Sequence, residues 1–318
     1  MNRFAKFSWA LLGYNLLVIL WGAYVRASGS GAGCGAHWPL CNGVVLPQTG
    51  QVATLIEFTH RMMSGLTVLF AVGLVVWAWR AYPRGSRVRL GAGLVALFTF
   101  TEALVGAGLV LFELVASDAS ALRAGSVAVH LVNTLLLVAS VTLTAWWASG
   151  GESLRLRGPG QAAPLLIVAL ALVMLLSASG AITALGDTLF PISSLAEGLQ
   201  QDFSPTAHFL IRLRIYHPLL AMLTGAFCLF VAIWTKGRAQ SAFTRRFSAA
   251  LFLSVLAQIG LGFLNVYLLA PIWMQLLHLL VSDLLWMSLV LLACAVLGGP
   301  ATQTVPVEKG ISPGMLSQ

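Results

Sequence analysis

The sequence predicts an all-α polytopic membrane protein: eight transmembrane helices arranged as two pseudo-repeated four-helix bundles. Three observations lead there. Hydrophobic residues make up 58% of the chain and charged residues only 9%, with a mean hydropathy of +0.89, whereas an ordinary soluble domain carries about 25% charged residues. Eight apolar stretches are each long enough to cross a bilayer, which takes roughly 20 residues. Polar landmarks in the first four stretches recur in the last four.

The stretches cover about 8–26, 54–80, 90–113, 124–148, 162–184, 207–235, 247–270 and 272–297. Lipid offers no partner to an unpaired backbone, so apolar stretches of this length are expected to be helices rather than strands. The first has a short basic start, Arg3 and Lys6, like a secretory signal. Its length, and the lack of a clean small-residue cleavage site, favour a retained helix.

The formal net charge of +8 is not scattered. Arg3 and Lys6 precede the first stretch. Arg80, Arg84, Arg87 and Arg89 separate the second from the third, and Arg155 and Arg157 the fourth from the fifth. Lys236, Arg238, Arg245 and Arg246 separate the sixth from the seventh, and Lys309 follows the eighth. With eight spans all of these fall on one side, which the positive-inside rule makes cytoplasmic, together with both termini. This distribution fits a membrane orientation signal and not a nucleic-acid surface. The opposite side receives long loops at about 27–53 and 185–206, and the polar tail 301–318 reads as disordered.

The halves, 1–150 and 151–300, look duplicated. Ala-Ser-Gly at 27–29 closes the first stretch, and Ala-Ser-Gly at 178–180 is expected to close the fifth. His60 answers His217, and His130 answers His278. Glu102 followed by Gly106 is matched by Gln258 followed by Gly262.

All four histidines fall on even-numbered stretches, six to ten residues from the outer start, a depth of roughly 10–15 Å. An imidazole in hydrocarbon is costly unless its nitrogen is used. Two pairs at one depth point to axial ligands for two hemes, since bundle cores build cofactor sites from facing helices. Structural zinc wants four clustered ligands, usually including cysteine, and fits less well.

Glu57 lies three residues before His60 and so on the same helix face, one turn closer to the outer surface. There it could exchange protons at a heme edge, pair with Arg61 at i,i+4, or do both while Arg61 also neutralises a propionate. The matching position in the second half is Arg214, so only one half has the carboxylate. Arg212 and Arg214 are candidate propionate partners or interfacial anchors. Pro218 after His217 either kinks the helix or is a tolerated membrane proline. Cys34 and Cys41 in the first outer loop are expected to form a disulfide, structural or redox-active, on an oxidising side, with free structural thiols as the alternative. Cys228 and Cys294 read as packing residues. Glu102 and Asp283, near mid-membrane, either relay protons or pair with polar neighbours such as Gln258. His37 and His208 read as loop residues.

Together, the eight spans, Glu57-Phe-Thr-His60-Arg61, the Cys34…Cys41 loop and His130, His217 and His278 resemble the heme A synthase family over roughly residues 8–297. The resemblance implies oxidation of the C8 methyl of heme O to the formyl group of heme A, by successive hydroxylation and loss of water, for terminal oxidases. It implies heme O as substrate at His60 and His130, heme b at His217 and His278, Glu57 as the catalytic carboxylate, and a Cys34–Cys41 disulfide. Expected partners are membrane lipid, a protoheme farnesyltransferase that makes heme O, and the cytochrome oxidase assembly route. Some members carry a second cysteine pair in the loop before the sixth span; residues 185–206 contain none. A quinol-oxidising di-heme b cytochrome and a heme exporter or chaperone remain alternatives, separable by the pigment each would carry.

Overall fold

The structure is a computed structural model, described over residues 1–48, 50–151, 153–154 and 160–299. Arg155, Arg157, Lys309 and the tail 301–318 lie outside the described residues.

Among the described residues, eight helical segments are long and apolar enough to cross a membrane. In order they are α1 (Arg3–Ala27), α2 (Val52–Ala81), α3 (Arg87–Leu111), α4 (Ala121–Ala148), α5 (Ala162–Leu189), the pair α7 (Phe209–Leu213) and α8 (Tyr216–Gly237), α9 (Ala242–Tyr267) and α10 (Ile272–Leu297). A short helix, α6 (Leu195–Asp202), lies in the loop after α5. A single 3₁₀ turn covers Ser30–Ala32, and a two-residue strand β1 (Ser153–Leu154) pairs antiparallel with β2 (Gly298–Gly299). Polar side chains set the starts. Asn2, Ser86, Ser120 and Ser241 each accept a first-turn N–H of α1, α3, α4 and α9, satisfying donors the helix itself cannot.

Helix packing forms two closed rings. In the first, α1 and α3 each pack on both α2 and α4; in the second, α5 and α9 each pack on both α8 and α10. The histidine-bearing helices α2 and α4 are therefore diagonal in one ring, and α8 and α10 diagonal in the other. The rings join through α1 and α4 against α5 and α10. Half or more of the most apolar window of α4 and α10 is buried, against a third or less for every other span. The seam between the rings is thus the protein's core, and the outer helices leave their apolar faces to lipid. The Trp286 indole N–H donates to the Leu135 carbonyl across the seam at 2.7 Å. Left without an acceptor in so dry a place, that donor would be costly.

Three expectations are corrected. Helix α5 does not stop near 184 but runs to Leu189, so Ala-Ser-Gly 178–180 sits inside it and does not mirror 27–29 at a helix end. The added turns pack Leu185 on Leu210 and Ala124. The sixth stretch is not one continuous helix: it breaks at Arg214 and Ile215 between α7 and α8. Pro218 explains the break, because it has no N–H to offer the carbonyl of residue 214 and its ring crowds that carbonyl. The loop expected over 185–206 starts after α5 and contains α6, whose Ser194 hydroxyl caps the Glu197 N–H.

Candidate functional site

His60, His130, His217 and His278 all lie six to nine residues into their spans, at the end of the bundle opposite the basic clusters. Small residues make room for each ring. A Cβ on Gly22 of α1 would stand 2.9 Å from His60 Cε1, and one on Gly180 of α5 would stand 2.9 Å from His217 Cε1. Gly106 of α3 and Gly262 of α9 face His130 and His278 at the matching places, where a Cβ would stand at 3.9 and 3.4 Å, in ordinary contact. The contact match is therefore Gly22 with Gly180 and Gly106 with Gly262. Sequence inspection found the second pair but took the wrong register for the first. The signal was Gly-Ala at 22–23 and 180–181.

Within each ring the histidines are neighbours across the diagonal. His60 lies within electrostatic reach of His130 and Glu102, and His278 within reach of His217. His60 Nδ1 and His278 Nδ1 are buried with no hydrogen-bond partner. His217 Nδ1 shares a 2.9 Å hydrogen bond with the Ser179 hydroxyl. His130 Nδ1 lies 3.3 Å from Glu102 Oε1, at ion-pair distance but without hydrogen-bond alignment. Glu102 also accepts from Asn133 Nδ2 at 2.5 Å and from the Thr134 hydroxyl. Gln258 does not pair with Glu102; its amide lies 3.1 Å from His278 Nε2. A carboxylate beside one histidine and an amide beside its counterpart is the main chemical difference between the rings at this depth.

Glu57 is 3% exposed. Its carboxylate accepts the Cys34 N–H at 2.8 Å and the Arg61 guanidinium at 2.6 and 3.2 Å. Arg61 also donates to the carbonyls of His37 and Leu40 at 2.6 and 2.5 Å. Both the i,i+4 pair and the attachment of the loop are thus built. Cys34 and Cys41 are disulfide-bonded. An Asn42-Gly43 turn follows, both residues at positive φ (52° and 79°), closed by reciprocal Cys41–Val44 backbone bonds. Asn tolerates that conformation and Gly adopts it freely.

Of the arginines expected near propionates, Arg214 is buried and held by Asp202 at 2.9 and 3.1 Å, Asp187 at 3.3 Å and the Phe190 carbonyl. Arg212 is exposed and lines a surface hollow with Asp202, Phe203 and Tyr216. Two further arginines at this end went unnoticed in the sequence. Arg26, in the last turn of α1, crosses the seam to Ala184 O and Thr188 Oγ1 of α5, both at 2.6 Å, and to Gln275 Oε1 of α10 at 3.0 Å. Arg123, in the first turn of α4, donates to the carbonyls of Ala116 and Asp118. An arginine facing inward at the tip of an apolar span was the available signal. Asp283 is wholly buried on α10, with neither carboxyl oxygen hydrogen-bonded. His37 is exposed. His208 is half-buried, caps α7 and contacts Phe190 and Phe209. Cys228 and Cys294 are buried and unpaired.

The family described as "Cytochrome oxidase assembly protein" (COX15-CtaA) matches residues 5–290. A Thermus thermophilus protein named "Protoheme IX farnesyltransferase" is 50% identical over 97% of this chain but only 51% of its own length. The chain thus spans about half the length of that relative. Proteins named "Heme A synthase" from Halalkalibacterium halodurans and Symbiobacterium thermophilum are 39% and 42% identical, over 35% and 30% of this chain and 38% and 31% of theirs. On the match over residues 5–290, the chain belongs to the COX15-CtaA family of cytochrome oxidase assembly proteins.

Proposed function

We propose that this protein is a heme A synthase, an oxidoreductase that converts the C8 methyl group of heme O to a formyl group. The observation that carries the proposal is the placement of two histidine pairs on diagonal helices of two rings, each ring opening to clear the rings' imidazoles with glycine. Among the described residues no three His, Cys, Asp or Glu side chains converge on one point. A metal held by two imidazoles must then bring its remaining ligands with it, as a porphyrin iron does. The buried imidazoles of His60 and His278, each with a ring nitrogen that has no hydrogen-bond partner, fit a group that enters from outside the chain.

On this reading residues 1–150 hold heme O through His60 and His130, and residues 151–300 hold heme b through His217 and His278. Iron porphyrin supplies the redox chemistry when bound. The chain's own part is to orient and to move protons. Glu102 beside His130 orients that ring, as a carboxylate commonly does for a ligating histidine. Glu57, already fixed by Arg61 and the Cys34 N–H, is the carboxylate placed to accept protons at the substrate edge. Gln258, at the matching place in the second ring, carries no charge, which suits a site that passes electrons rather than reacts. The two rings with corresponding contacts support a duplicated architecture. The basic clusters favour a plasma-membrane protein with both termini cytoplasmic. One relative is named a protoheme farnesyltransferase, and an enzyme of that kind is our proposed source of the heme O substrate.

The test is co-expression with a heme O source, followed by chromatography of pigments extracted from the purified protein. Heme A or heme O together with heme b is expected. Heme b alone would favour an electron-transfer cytochrome, and weak exchangeable heme without a formyl product a carrier.

A further inference from the structure

Residues 28–51, the connection between α1 and α2, contain no Asp, Glu, Lys or Arg. Of the other connections at the histidine end, the two longer ones carry acids, Glu113 and Asp118 between α3 and α4 and Glu197 and Asp202 between α5 and α7, and only the four-residue turn between α9 and α10 has none. A loop that stands in water has no reason to avoid charge over such a length.

Its path explains the difference. The loop does not rise away from the bundle but runs back along α2. Gly33 packs against the backbone of Ala53 and Thr54, and its carbonyl accepts the Thr54 hydroxyl at 2.6 Å. Cys34 is tied to Glu57 one turn further in, and His37 and Leu40 are tied to Arg61 one turn further still. From residue 53 to residue 61 is about 12 Å of helix. At the other end of α2, Trp77, Trp79 and Arg80 mark the basic-side interface. Roughly 20 residues of hydrocarbon measured back from there ends close to Glu57–Arg61. The segment 37–46 therefore lies at the boundary between headgroups and acyl chains.

At that depth it presents Trp38, Leu40, Val44, Val45 and Leu46 outward, with Val45 and Leu46 73% and 69% exposed. The same belt continues on α2 itself through Val52, Leu55 and Met62, all exposed. The Asn42-Gly43 turn, the disulfide and the Arg61 bonds hold the finger rigidly against α2. Segments that lie in an interface carry an aromatic and aliphatic face with few charges turned toward lipid.

We propose that residues 38–46 form an interfacial anchor that beds its apolar side chains in the leaflet at the histidine end of the bundle, so that the first ring is walled by lipid rather than water beside Glu57. The occupant of this surface is the acyl-chain boundary of the bilayer. The inference goes beyond the heme reading and does not depend on it.

Single cysteines at Val45 and Leu46, in the full chain with Cys228 and Cys294 replaced by Ala and the Cys34–Cys41 disulfide intact, would carry a nitroxide. The protein would be reconstituted in phosphatidylcholine–phosphatidylglycerol vesicles. Collision of the label with oxygen, which partitions into lipid, is compared with collision with a water-soluble nickel chelate. Labels at Leu69, on the apolar face of α2, and at Gln200, on the exposed loop helix, give the two limits. The expected result is an oxygen-to-nickel ratio several-fold above that of Gln200 and approaching Leu69. A ratio equal to that of Gln200 would place the finger in water and overturn the proposal. A label immobilised and shielded from both reagents would mean a protein partner covers it, and would overturn it equally. Quenching of Trp38 by bromolipids, read as the difference between wild type and Trp38→Phe, checks the same depth without a label.

Discussion

The carboxylate of Glu57 and the backbone N–H of Cys34, 23 residues apart in the chain, meet at 2.8 Å. One side chain therefore both fastens the disulfide loop and stands a turn from His60. Substitution can separate the two roles. Glu57→Ala leaves the buried N–H and the Arg61 guanidinium without an acceptor and should cost about 1–3 kcal/mol. Glu57→Gln keeps an oxygen for the N–H. The expected outcome is that Glu57→Gln melts close to wild type yet makes no heme A, while Glu57→Ala loses both. Thermal melting in detergent and porphyrin chromatography read the two effects. Normal heme A output from Glu57→Gln would make the carboxylate purely structural.

Gly22 and Gly180 offer a test of site identity without touching a ligand. Each Ala variant would push a methyl to 2.9 Å from one imidazole carbon, of His60 or His217. Overpacking of this kind costs about 1–3 kcal/mol, which corresponds to about 5- to 150-fold in affinity. Gly22→Ala should lower occupancy of the substrate site alone, and Gly180→Ala that of heme b alone. Gly262→Ala, with 3.4 Å of clearance, should be milder. Pigment content per protein, resolved by heme type, measures the split. Equal loss of both pigments in either variant would contradict separate sites.

Arg214 is the only cation in hydrogen-bond contact with Asp202 and Asp187 among the described residues. Removing one partner of a buried ion pair costs about 3–5 kcal/mol, because the remaining charges stay behind. Arg214→Ala should therefore lower the melting temperature and open the α7–α8 junction. Arg214→Lys should recover only part, since an ammonium lacks the planar fork. Hydrogen exchange over residues 209–216 should rise in the Ala variant and heme b should be lost with it. Unchanged exchange there would show that the break is held by packing alone.

Glu197 supplies a pH dependence outside the membrane. The Ser193 hydroxyl and Ser193 N–H both donate to its carboxylate, which holds its pKa below the usual carboxylate range. A depressed folded value means the contribution is complete above the unfolded carboxylate pKa and disappears as pH falls through the folded one. The start of α6 should then stay ordered at neutral and mildly acidic pH and fray only in stronger acid. Ser193→Ala should move that fraying upward in pH. Amide exchange of residues 195–198 against pH is the measurement.

The spans, the depth of the four histidines and the disulfide pair were legible in the sequence because each rests on a strong local signal: length of apolar run, position within it, and two cysteines 7 residues apart in one outer loop. The path of the loop was not. It depends on the Asn42-Gly43 turn and on Arg61 reaching two carbonyls, and neither is visible until the chain has folded back on α2. The break at Arg214 was half legible, since Pro218 announced a disturbance without fixing which carbonyl would lose its partner. Arg26 and Arg123 escaped because a terminal arginine on an apolar span ordinarily reads as an interfacial anchor. Only the arrival of α5 and α10 shows Arg26 turned inward.

That last contact sets an order on biogenesis. The acceptors of Arg26 are Ala184, Thr188 and Gln275, all synthesised long after α1 has left the ribosome. Until α5 and α10 have inserted, its guanidinium lacks these acceptors, and the seam between the rings stays open. Closure of the molecule is thus a late, concerted event, and a gene cut between the halves should yield two fragments that become protease-resistant only when both are present.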